Sequence, residues 1–159
     1  MLIIETAFIC FVFFGLCFLG TGTDDKNLRS YSSYPDEVQK RIREIDEYQG
    51  KYKETGKLAA LAANFVVFIV IFFLLGILIR QKSFTHNFLY LLIMGQALNI
   101  FDFVVIDLLW WRNTERIRLS KIPQPELYRD PKKHIDAFLR AIVLFLCVAL
   151  VDAYFLTLF

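Results

Sequence analysis

The stretch 58–79, LAALAANFVVFIVIFFLLGILI, sits between Lys57 and Arg80 and carries no charged residue. As a helix it would rise about 33 Å at 1.5 Å per residue, enough to cross a hydrocarbon layer of about 30 Å. A helix on the surface of a soluble domain needs only one apolar face, so an unbroken run of this length points to a lipid environment. Only Asn64 interrupts it.

Three further stretches of the same kind flank it, at 2–20, 85–111 and 137–158. All 17 Phe fall in or beside these four runs, whereas the segments 21–57 and 112–136 contain no Phe. The chain of 159 residues is 57% hydrophobic and 21% charged, and this segregation excludes a soluble globule, a disordered chain and a disulfide scaffold. The expected fold class is all-α, a four-span transmembrane helical bundle forming a single integral membrane domain. The four prolines lie outside the spans, which favours uninterrupted helices. The first run has no basic residue before it, only Glu5, so it reads as a retained span rather than a signal peptide.

Lys and Arg set the orientation. Segment 21–57 holds eight of them, segment 112–136 seven, and the short turn 80–84 only Arg80 and Lys82. With four spans the two rich connections share a side, so both are expected in the cytoplasm and both termini outside, in a multi-pass protein of the cell membrane.

Residues 33–55 are expected to form a cytoplasmic amphipathic helix between spans 1 and 2. Ser33 and Asp36 suggest a capping box, Val38, Ile42, Ile45, Gln49 and Tyr52 a narrow stripe, and Glu37–Arg41, Lys40–Glu44, Arg43–Glu47 and Glu47–Lys51 form i,i+4 pairs. The stripe suits a helix lying against the protein or the headgroups, or one that docks a partner. In the second connection, the bases Arg112, Arg116, Arg118 and Lys121 follow Trp110 and Trp111. The tryptophans read as an interfacial anchor and the bases as headgroup-binding residues, each worth about 1 kcal/mol against anionic lipid.

The third span carries Gln96, Asn99, Asp102 and Asp107, which with Asn64 and Arg140 make an expected intramembrane polar cluster. A carboxylate near the bilayer centre costs about 2.5–3.5 kcal/mol on insertion scales and should face protein or water. Asp107 and Arg140 enter from the same side at similar depth and are expected to pair, while Asn64 is placed to bond Asp102 or Asn99. Asp102, with no basic residue at its depth, is expected to be protonated or to hold an ion or water. Asp152 and Glu5 are expected to meet Arg80, Lys82 or His86. The pairs Ala59/Ala63, Ala137/Ala141 and Ala149/Ala153 would allow close helix contact.

No catalytic constellation, metal site or cofactor site is read. Asp102 and Asp107, five apart, diverge by about 140° on an α-helix. His86 and His134 lie near opposite faces; His134 reads as structural, with a headgroup reaction as the alternative. Cys10, Cys17 and Cys147 sit in apolar runs as small buried hydrophobes. Net charge is +2, with no nucleic-acid motif. The leading functional expectation is an accessory, scaffold or interaction subunit, partnered by membrane lipids and by a second copy or a larger membrane complex. The alternatives are an oligomeric ion or proton pathway through Asp102, and an enzyme acting on a lipid or isoprenoid phosphate at the cytoplasmic face.

Overall fold

The computed structural model describes residues 1–158, the side chain of Lys57 excepted. In chain order its helices are α1 (Leu2–Leu19), α2 (Asp24–Arg29), α3 (Asp36–Glu44), α4 (Lys57–Ile79), α5 (Phe84–Phe101), which continues as a π-helix over Asp102–Trp111, and α6 (Lys132–Thr157). α1, α4, α5 with its continuation, and α6 are long and apolar enough to cross a membrane. Three begin and end within a residue or two of the sequence reading. α6 starts five residues earlier than 137, because the Asp130 carboxylate accepts from the Lys132 N–H (3.0 Å) and Pro131 occupies the turn before it.

The chain divides into two compact units, one made of Met1–Phe11, Gly56–Phe101 and Phe138–Phe159, the other of Val12–Thr55 and Asp102–Ala137. In the first, aromatic rings and small residues join α4, α5 and α6. Phe145 of α6 stacks on Phe72 of α4 at 5.5 Å and meets Phe68 edge-on at 4.8 Å. Gly95 lets α5 approach that ring, since a Cβ there would come within 2.9 Å of Phe145. Gly76 does the same for Leu156. Of the expected alanine pairs, Ala149 and Ala153 are fully buried, but Ala59 and Ala63 are exposed. The tight turn before α5 is held by Asn87, whose amide accepts from the Gln81 N–H (3.0 Å) and donates to the Gln81 carbonyl (2.8 Å).

The second unit joins the two long connections around one apolar core. Leu28, Tyr31, Tyr34, Val38, Ile42 and Tyr48 of the first connection are buried with Trp111, Ile117, Leu119, Ile122 and Tyr128. Each fully buried aliphatic side chain contributes roughly 1.5–3 kcal/mol, so the connections are folded together rather than draped on the headgroups.

This packing corrects the expected 33–55 helix. α3 stops at Glu44, a 3₁₀ turn follows at Asp46–Tyr48, and Gly50 takes φ +75°, a left-handed turn that suits glycine. Val38 and Ile42 are buried, but Tyr52 leaves the helix to stack on Tyr31 at 4.5 Å, and Gln49 donates to the Arg43 carbonyl. No capping box forms, since Ser33 lies in a 3₁₀ turn and Pro35 precedes the helix. The Glu37–Arg41 pair is present at 3.5 Å. Ending the helix separates the later pairs: Arg43 reaches Glu54, Glu47 reaches Lys121, and Lys51 reaches Asp25.

Polar clamps tie the two connections to each other. Asp24 accepts from the Ser120 N–H (2.9 Å), the Ser120 hydroxyl (2.5 Å) and the Tyr48 hydroxyl (2.6 Å). Burial pushes Asp24 upward, but these donors together with Lys51 outweigh it and hold the carboxyl below the usual range. Asn27 donates to the Arg116 carbonyl (3.0 Å), and Tyr34 donates to the Ile117 carbonyl (2.6 Å). Tyr128 both accepts from the Leu119 N–H and donates to the Ile122 carbonyl. Burial raises both phenols, Tyr128 to about 12.

Candidate functional site

Where the third span passes from α- to π-winding it carries Asp102 and, five residues on, Asp107. Hydrogen bonds run from i to i+5 in this segment, so residues five apart come closer to alignment than on an α-helix. The expected 140° divergence therefore does not apply here. π-segments are rare and recur at functional sites.

The Asp107 carboxylate is engaged by His134 of the first turn of α6, Nδ1 to Oδ1 at 2.9 Å, with both side chains largely buried. This replaces the expected Asp107–Arg140 pair. The early start of α6 is the reason, because it puts His134 on a helix rather than in a loop. Asp102 interacts electrostatically with both Asp107 and His134. Trp111 packs its ring at 6.0 Å against His134 and at 5.7 Å against Tyr34. Trp111 is thus a core residue, whereas Trp110 lies against Phe14 and Phe18 of α1.

Among the described residues the far nitrogen of His134, Nε2, is buried with no hydrogen-bond partner, and so are Nε1 of Trp111 and Nε of Arg112. Leaving a buried polar group unpaired costs about 1–3 kcal/mol. A histidine held at Nδ1 by a carboxylate, with Nε2 unpaired, is the arrangement of a positioned acid–base group. Among the described residues no group of three or more His, Cys, Asp and Glu stands together as metal ligands.

The other expected members of the polar cluster do different work. Gln96 donates to the Ile142 carbonyl (3.1 Å) and Asn99 to the Phe138 carbonyl (3.2 Å), so both hold α5 to α6. Asn64 is exposed on α4 and so takes no part in the expected cluster. Arg140 is exposed and lines a groove beside α4. Glu5 accepts from the Tyr90 hydroxyl (2.8 Å) rather than meeting a base. Asp152 is fully buried, and among the described residues neither of its carboxylate oxygens has a hydrogen-bond partner.

The four expected headgroup-binding residues are mostly engaged with protein. Arg116 lays its guanidinium 3.9 Å over the Phe18 ring and donates to the Phe18 carbonyl (3.2 Å). Gly22, at φ +105°, makes room for it: a Cβ there would fall 2.8 Å from Arg116 Cζ. Arg118 pairs with Glu115 at 3.6 Å and Lys121 with Glu47. Arg112 is half-buried.

The pairing of His134 with Asp107 escaped the sequence reading because a lone histidine carries no pattern, and its partner lies 27 positions earlier. The signal that could have found it is the run Asp130-Pro131, a helix start placed just ahead of it.

No protein-family model matches the chain, and neither a curated protein nor a solved structure matches it.

Proposed function

We propose that the protein is a multi-pass subunit of the cell membrane that acts as an accessory or scaffold, assembling with a second copy or a larger membrane complex. Its termini face outward, and the folded pair of connections is its cytoplasmic module. The observation that carries this reading is the contrast between its helices. At membrane depth Gln96, Asn99 and Glu5 are bonded within the chain and serve to hold helices together. α1 and α4 instead leave their apolar surfaces uncovered, with only 11% of each span buried. Helices bared on this scale suit contact with other helices as well as with lipid. Photobleaching of single fluorescently tagged molecules in native membrane vesicles tests it. Two or more copies per spot, or a constant second component, are expected. Single copies alone at every expression level would remove the proposal.

A second reading rests on the Asp107–His134 pair. In it the protein is an enzyme acting on a lipid or isoprenoid phosphate at the cytoplasmic face, with Asp107 orienting His134; Nε2 is buried, so its proton exchange with substrate requires the chain beside Trp111 to open. A His134→Gln variant that folds normally would then change the membrane lipid profile of the cell. An unchanged profile would leave only the scaffold reading.

A further inference from the structure

The first turns of α4 and the adjoining stretch of α6 enclose an open groove of about 600 Å³, walled by Leu58, Leu61, Phe65, Leu139, Val143 and Cys147. Its one charged lining residue is Arg140. We infer that this groove binds one anionic phospholipid, with an acyl chain along its floor and the lipid phosphate on Arg140.

Dimensions favour a chain of lipid. The walls run from Leu58 to Phe65 and from Leu139 to Cys147, about 10–12 Å of helix at 1.5 Å per residue. That is most of one leaflet of a hydrocarbon core about 30 Å thick. A single flexible acyl chain fits within a groove of that length and volume.

The charge at the groove favours an anionic headgroup. Arg140 is the fourth residue of the apolar run 137–158, so its guanidinium is within reach of the boundary between hydrocarbon and headgroups. Among the described residues it has no ion-pair or hydrogen-bond partner, so it is free to take an anion at the headgroup boundary. Asp107 is bonded within the chain, and Asp102 and Asp136 are half-buried, so among the described residues the long helices of a second copy present no fully exposed carboxylate near that level. Lipid phosphate is present at that level along the whole membrane, and a guanidinium matches phosphate with paired hydrogen bonds.

The test is native mass spectrometry of the purified full chain after exposure to equal phosphatidylglycerol and phosphatidylcholine. One lipid per chain is expected to persist, with phosphatidylglycerol retained roughly fivefold over phosphatidylcholine. Arg140→Gln should abolish the preference, Arg140→Lys should keep part of it, and Ala62→Phe, which fills the groove, should remove the bound lipid of either kind. Circular dichroism and monodispersity confirm that each variant is folded. Three results overturn the inference: equal retention of the two lipids by the native chain, retention that Ala62→Phe leaves unchanged, and a change of copy number with either groove variant, which would place a second chain in the groove.

Discussion

Replacing Tyr34 should loosen a part of the chain more than eighty residues away. The ring is fully buried, 5.6 Å edge-on from Tyr128 and 5.7 Å from Trp111, and its hydroxyl gives the Ile117 carbonyl a 2.6 Å hydrogen bond. Tyr34→Phe keeps the ring and leaves that carbonyl buried without a donor, at a cost of about 1–3 kcal/mol. Tyr34→Ala adds a cavity and costs about 3–5 kcal/mol. Hydrogen exchange of protein held in lipid nanodiscs reads these costs, since each 1.4 kcal/mol is about tenfold in the opening equilibrium. Amides 117–122 are expected to lose roughly ten- to hundredfold of protection in Tyr34→Phe and at least about a hundredfold in Tyr34→Ala. If Tyr34→Ala deprotects residues 31–45 but leaves 117–122 within twofold of the native chain, the two connections fold separately and the shared core is refuted.

Other consequences follow from the same contacts. Gly95→Leu drives a side chain into Phe145 and should lower stability by about 1–3 kcal/mol, read as an earlier thermal midpoint in detergent; an unchanged midpoint would mean that α5 and α6 are not in contact there. A double-mutant cycle of Asp107→Asn and His134→Gln should give a coupling of about 0.5–3 kcal/mol, and additive effects would deny the pair. In acid, the depressed Asp24 carboxyl stabilises the folded unit above its unfolded value of about 3.9, so that contribution should disappear as pH falls below about 4. In alkali, the raised Tyr128 phenol leaves stability intact below pH of about 10, and stability should be lost as pH climbs towards about 12. Tyrosinate absorbance should therefore rise in two phases, and a single phase near 10 would contradict the buried rings.

The four long helices were legible because a lipid-crossing helix states its length and apolarity locally. Asn99 and Gln96 were legible as polar residues needing shelter, though their acceptors turned out to be backbone carbonyls of α6, which no residue pattern records. The folded pair of connections was hidden. Its core joins Tyr34 to Ile117 and Asp24 to Ser120 across more than eighty positions, and charged residues dominate between these contacts. α3 read as too long because its charge pairs continue past Glu44, whereas packing of Tyr52 on Tyr31 decides where the chain turns. The π-winding after Phe101 has no sequence signature here, and it undermines any angle reckoned for Asp102 and Asp107 at α-helical pitch.

The two long connections fold together around one shared core. Asp24 and Ser120 touch side chain to side chain, and neither carries the core. In a background with Cys10, Cys17 and Cys147 replaced by serine, Asp24→Cys with Ser120→Cys should form an intramolecular disulfide on mild oxidation in sealed vesicles, seen as a release of both thiols on reduction. Two thiols that stay unlinked, and that react with an impermeant maleimide from opposite sides of the membrane, would contradict it.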